Sequence, residues 1–207
     1  MGQKDIINLY SFRRCPYAMR ARFALQLASI SYHRIEVSLK DKPEDLLRIS
    51  PKGTVPVMQY KDLILDESLD IIYWALEKND PKNVLPCDPE MIKISEEIIH
   101  RNDTAFKYSL DRYKYPTRYL AEGTEGAIKE QAMNKCIEIL RFFEQSLRTH
   151  EYLLTNQYTL ADICTFPFVR QFHHVNKEVM PNEGLNKTMN WLNRFLESVD
   201  FEIIMQK

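Results

Sequence analysis

The chain has few of the residues that announce several common functions. Five glycines occur in 207 residues. Gly53 is the only one between Gly2 and Gly123. A glycine-rich loop that cradles phosphate is therefore absent, and nucleotide binding by that route has no support. The four cysteines, Cys15, Cys87, Cys136 and Cys164, are far apart and form no Cys-x-x-Cys pair. That spacing argues against both a disulfide framework and a local dithiol. Charge of one sign is lacking too. A formal net charge of −1 offers no bulk attraction for nucleic acid. No apolar run approaches the roughly 20 residues that cross a membrane, so no membrane partner is expected. Arg13 and Arg14 interrupt the first apolar stretch, against a signal-peptide pattern. Ile6 stands where a myristoylation motif after Gly2 has Ser or Thr. The expectation is a cytoplasmic protein. Adjacent histidines, His173-His174, would point about 100° apart on a helix and cannot chelate one ion together. No metal is expected.

What is present centres on Ser11-Phe12-Arg13-Arg14-Cys15-Pro16-Tyr17-Ala18. An apolar run, Ile6 to Tyr10, reads as a strand before it, and a helical pattern runs from Pro16 to about Ala28. Proline suits a first helical position, where its missing N–H would be unpaired in any case. Cys15 then falls at the N-cap, where unpaired N–H groups and the helix dipole favour negative charge. Cysteines so placed titrate at roughly 3.5–7.5, against about 8.5 for a free thiol. Arg13, Arg14, Arg20, Arg22 and Arg34 lie between Asp5 and Glu36 with no acid among them. Cys15 is read as a reactive thiolate.

The remainder of the first half reads as strand Tyr32–Val37, a short helix from Glu44 to near Ser50, and a turn at Pro51-Lys52-Gly53. Strands Val55–Met58 and Leu63–Leu65 follow as a hairpin, then a helix opening at Glu67-Ser68. The order is βαβ, helix, ββ, helix over residues 1–78. Residues 79–89 hold three prolines and read as a linker. Residues 90–207 read as all helical: Met91 to about Tyr113, Glu125 to about Leu147, Thr159 to Val175, and Lys187 to Glu197. Thr159 and Asp162 form a capping-box variant. Cys136 and Cys164 fall in helical patterns as core residues, and Cys87 falls in the linker.

These elements and motifs resemble the glutathione S-transferase superfamily over essentially the whole length. Cys15-Pro16-Tyr17-Ala18 and Lys40-Asp41-Lys42-Pro43-Glu44 are similar to the cysteine-type omega class. Cys15-Pro16-Tyr17 with Glu67-Ser68-Leu69-Asp70-Ile71 is also similar to the bacterial two-domain glutaredoxins, except that Ala18 replaces a second cysteine. The resemblance implies a thioredoxin-like N-terminal domain and an all-helical C-terminal domain. It implies glutathione as co-substrate, with Val55-Pro56 as the superfamily's cis-proline step, Glu67 and Ser68 on the γ-glutamyl end, and Lys42 on the glycyl carboxylate. A small-molecule or disulfide substrate would meet Tyr17, Arg112 and Tyr113, the alternative for the Asp111–Pro116 stretch being a solvated helix end with two core tyrosines, and a homodimer is implied. Thiol transfer or reduction through Cys15 is the favoured activity. The alternatives are conjugation of electrophiles and a non-enzymatic protein-binding regulator of the same fold, as in the stringent-starvation proteins.

Overall fold

The structure is a computed structural model that describes residues 6–206; Gly2 lies outside the described residues. The chain divides into two compact units, one holding residues up to Val84 and those from Ser198 on, the other Leu85–Glu197. The boundary falls inside the linker expected at 79–89, whereas residues 198–206, expected in the helical half, join the first unit.

The first unit is built on a four-stranded sheet in the order β2-β1-β3-β4. Strand β1 is Asn8–Ser11, β2 His33–Glu36, β3 Val57–Tyr60 and β4 Leu63–Leu65. A helical crossover, α1 (Pro16–Leu27), makes β1 and β2 parallel. Strand β3 is antiparallel to both β1 and β4. Strand β1 starts two residues later than the apolar run suggests, because Ile6 is 65% exposed and only the following residues enter the sheet. Helix α2 (Glu44–Ile49) adds Leu46 to a cluster of Tyr10, Val37, Val55 and Val57, and Cys15 packs against that cluster. Helix α3 (Ser68–Lys78) packs beside α1, as does α10 (Val199–Met205). Helix α1 is thus buried on most sides, and Arg20 and Arg22 are fully buried with it. The α10 helix went unread in the sequence, although Ser198 caps it by accepting from the Phe201 N–H.

The register places four chain segments at one end of the sheet. Ser11 ends β1 opposite Glu36, which ends β2. Val57 begins β3 opposite Tyr10. Leu65 ends β4 opposite Met58. The stretches 12–15, 37–42, 53–56 and 66–68 therefore all leave from the same edge of the sheet's strand ends.

The second unit is helical: α4 (Pro89–Arg101), a π-helical turn (Asn102–Phe106), α5 (Lys107–Lys114), a 3-10 segment (Pro116–Glu122), α6 (Glu125–Ser146), α7 (Leu160–His173), α8 (Val179–Asn182) and α9 (Asn186–Leu196). Helix α7 is almost wholly buried, and Cys164 on α7 and Cys136 on α6 are core residues. Burial pushes the Cys136 thiol well above its ordinary range, which leaves it inert. The Thr159–Asp162 capping box is present. Asp162 is fully buried, and its carboxylate accepts from the Leu153 N–H at 2.8 Å, the Thr159 N–H at 2.8 Å, the Thr159 hydroxyl at 2.9 Å and Trp191 Nε1 at 2.9 Å. One side chain thus ties the 150s loop, the start of α7 and α9 together. Asp162→Ala would leave three buried N–H donors without an acceptor, each costing about 1–3 kcal/mol. A loss of at least about 3 kcal/mol in urea unfolding is expected; a loss below about 1 kcal/mol would show that the cap is not what joins these segments.

Candidate functional site

Cys15 sits at the N-cap of α1, with Pro16 at the first helical position and an extended backbone at φ −72°, ψ 123°. No acidic residue lies in the first turn and no side chain caps it. The Cys15 N–H bonds the Phe12 carbonyl at 2.9 Å, and the Cys15 carbonyl accepts from the Met19 N–H at 2.9 Å. The thiol is therefore fixed from both directions along the chain. Its Sγ lies 3.5 Å from the Val55 carbonyl oxygen. The thiol is half-buried and in no disulfide. The Val55–Pro56 bond is cis, as its motif implies.

The stretch before that step turns at Gly53, whose φ of +57° favours glycine. The turn is also crowded. A Cβ on Gly53 would meet Leu47 Cδ2 at 2.9 Å and Lys42 Nζ at 3.3 Å. The Lys42 ammonium thus folds over the Gly53 turn, two residues from Val55, although Lys42 is otherwise exposed.

At the start of α3, Glu67 is the N-cap residue and Ser68 is 5% exposed. Three further residues, Ser50, Lys52 and Asp66, to which the sequence assigns no site role, complete this corner. Lys52 Nζ lies 2.5 Å from Glu67 Oε1 and 3.1 Å from Asp66 Oδ1. The Ser50 hydroxyl donates to Asp66 Oδ2 at 2.9 Å. The hydrogen bond to Glu67 raises the Lys52 pKa. Burial alone would push the Asp66 carboxyl up, but the bonds from Ser50 and Lys52 hold it below its usual range. The corner therefore presents two carboxylates, one ammonium and the first turn of a helix. In the sequence, Pro51-Lys52-Gly53 signals only a turn; the place of Lys52 in this corner comes from its contacts with Asp66 and Glu67.

The residues expected on the substrate side fare differently. Tyr17 is half-buried in the first turn of α1, with the Arg20 guanidinium 5.2 Å from its ring centroid. Arg112 is held in the second unit by a two-point pair with Glu122, Nε to Oε2 at 2.8 Å and Nη2 to Oε1 at 2.6 Å. Its guanidinium also lies over the Tyr108 and Tyr119 rings, at 3.3 and 4.2 Å. Tyr113 is 2% exposed, with its ring 5.1 Å from that of Phe172, so of the two readings of this helix end it follows that of a core tyrosine. No group of three or more metal-ligating side chains occurs among the described residues, and no described helix is long and apolar enough to cross a membrane.

Comparison with known proteins places both units. The model of the glutathione S-transferase N-terminal domain matches residues 9–83, and that of the glutathione S-transferase C-terminal domain matches residues 102–198. Glutathione S-transferase omega-1 of Sus scrofa is 35% identical over 93 residues, which is 42% of this chain and 36% of that protein. Matches of this kind span less than half of the relatives' own length, 41% and 36% in two cases. The Haemophilus influenzae stringent starvation protein A homolog is 23% identical over 177 residues, 86% of this chain and 80% of that one. Among solved structures, a Pseudomonas fluorescens glutathione transferase family member with two glutathione bound superposes with a TM-score of 0.82 at 18% identity, covering 99% of this chain and 94% of that one. Two matched domains in their order, over a sheet and a helical bundle of the matching kind, make this chain a member of the glutathione S-transferase superfamily.

Proposed function

We propose that the protein carries out glutathione-dependent thiol transfer or reduction with Cys15 as nucleophile. One observation carries the reading: a half-buried cysteine at the N-cap of α1, beside a cis-proline step and with no acidic residue in the helix's first turn. A thiolate there gains from the N–H groups of the first turn, and Tyr10 and Ser11, the residue types used elsewhere in the superfamily, lie in β1 rather than at a helix start. The glutathione-bound structural neighbour supports the choice of co-substrate, and the glutathione S-transferase omega-1 match agrees with the omega-type resemblance of the Cys15 motif.

The step runs by exchange. The Cys15 thiolate attacks the glutathione sulfur of a mixed disulfide between glutathione and a substrate; the old S–S bond breaks and the substrate leaves as a thiolate that takes up a proton. The thiolate of a second glutathione then attacks the Cys15–glutathione disulfide. That releases glutathione disulfide and restores Cys15. Ala18 provides no second thiol in the first turn, so the resolving thiol comes from glutathione. The peptide would pair with the Val55 backbone as an added strand. Lys42 would meet its glycyl carboxylate, and Ser68 with the start of α3 its γ-glutamyl carboxylate. Its ammonium would go to Glu67 and Asp66, where Lys52 now sits.

Cys15→Ser should abolish release of glutathione from a glutathionylated peptide, and wild-type protein should show a glutathione adduct on Cys15 by mass spectrometry. Full activity in the variant would overturn the assignment. Robust conjugation of an aromatic halide that survives Cys15→Ala would favour conjugation instead. Lys42→Ala should raise KM for glutathione about tenfold with kcat little changed, since a charged hydrogen bond contributes about 1.5 kcal/mol or more; an unchanged KM would remove Lys42 from the site. The broad match to a stringent starvation protein A homolog supports a second reading, a binding protein without enzymatic activity. Failure to be retained on immobilised glutathione would favour it.

A further inference from the structure

Arg22 lies midway along α1 with none of its surface exposed. A guanidinium has five N–H donors and a fixed charge, and at that depth both need acceptors. Nη1 donates to Ser11 Oγ at 2.5 Å and to the Phe12 carbonyl at 3.4 Å. Nη2 donates to the Arg13 carbonyl at 2.7 Å. Nε donates to the Ile204 carbonyl at 3.0 Å. Three of the acceptors come from consecutive residues, Ser11 at the end of β1 and then Phe12 and Arg13 on the way to Cys15. One of them, the Phe12 carbonyl, also accepts the Cys15 N–H. The fourth is at the C-terminal end of α10, where the last carbonyls of a helix have no intrahelical partner.

Resting on the assignment of Cys15 as nucleophile, we infer that Arg22 is a positioning residue for that thiol, tying the docked C-terminal helix to the three residues that present it. The fork matters because its donors point in fixed directions and reach four oxygen acceptors at once, with Met205 Sδ a longer contact at 4.0 Å. If the loop moves, Sγ moves relative to the start of α1, and the stabilisation of its negative charge changes with it. Arg22 stays charged at neutral pH. Burial pulls its pKa down to about 10, Tyr32, Glu36 and Cys15 hold it up, and Arg34 opposes them. Arg34 supplies an internal comparison. It donates to the Ile204 carbonyl at 3.5 Å and to the Gln206 carbonyl at 2.6 Å, gripping the same end of α10 from β2. Glu36 faces the loop from β2 and accepts the Arg13 N–H at 2.7 Å. Arg13 and Arg14 are the charged groups of the loop itself.

The test is the rate of alkylation by iodoacetamide against pH on the full chain. A Cys87→Ser background is used, since Cys87 is exposed while Cys136 and Cys164 are buried. Circular dichroism monitors the fold. Arg22→Met should move the midpoint up toward that of an ordinary thiol. Below both midpoints the rate should fall about threefold for each pH unit of movement, because the loss of thiolate is partly offset by its greater nucleophilicity. Arg34→Met shares the Ile204 acceptor but removes no donor from the residues that present the thiol, so it should stay within about twofold of wild type. Arg22→Lys keeps the charge but cannot span the acceptors, so it should fall between wild type and Arg22→Met, and it carries the test if Arg22→Met does not fold. An unchanged profile in the folded Arg22 variant, or an equal effect of Arg34→Met, overturns the inference. A wild-type midpoint equal to that of an ordinary thiol would instead overturn the reading of Cys15 itself.

Discussion

Every α-helix begins with N–H groups that have no acceptor inside the helix, and in α1 that deficit falls at Cys15. Pro16 removes one of those donors and fixes the backbone for the first turn. The first turn contains no acidic side chain to answer the rest. A negatively charged sulfur, or an anionic group of a bound molecule, is the natural complement there. The sheet register then decides what surrounds this point. With β3 antiparallel to β1 and β4, the Val55–Pro56 step and the Asp66–Ser68 corner leave from the same strand ends as the Cys15 loop. The site is assembled by strand directions before any side chain contributes.

Burial of α1 gives the site its rigidity and also creates its main electrostatic demand. A helix covered on most sides would ordinarily be apolar throughout. This one carries Arg20 and Arg22, both at 0% exposure. Removing the partners of such a charge is far more damaging than having none of the group at all. The acceptors Arg22 uses are backbone carbonyls of the Cys15 loop and of α10, together with the Ser11 hydroxyl. Stability of the first unit and placement of the thiol are therefore joined in one set of hydrogen bonds.

Much of the fold was legible because local signals and tertiary packing agree. Pro16 after Cys15, and Thr159 with Asp162, each name an element boundary through the chemistry of one or two residues. What escaped was set by contacts distant in sequence. Helix α10 has only seven residues, and its place beside α1 depends on Arg22 and Arg34, 182 and 170 residues away from Ile204. No periodicity over so short a segment can show that. Tyr113 stands among charges, Asp111, Arg112 and Lys114, so its sequence surroundings allow a pocket wall or a core ring, and only the packing against Phe172 decides for the core. Lys52 was hidden for the opposite reason. Its partners Asp66 and Glu67 are distant along the chain and are brought to it only by the β3–β4 hairpin.

The central claim is that Cys15 is held ionised at the start of α1. The most direct measurement is the ultraviolet absorbance of the thiolate as a function of pH, taken as the difference between wild type and Cys15→Ser. The account requires a single titration with its midpoint well below that of an ordinary thiol. A midpoint at or above the ordinary value would contradict it.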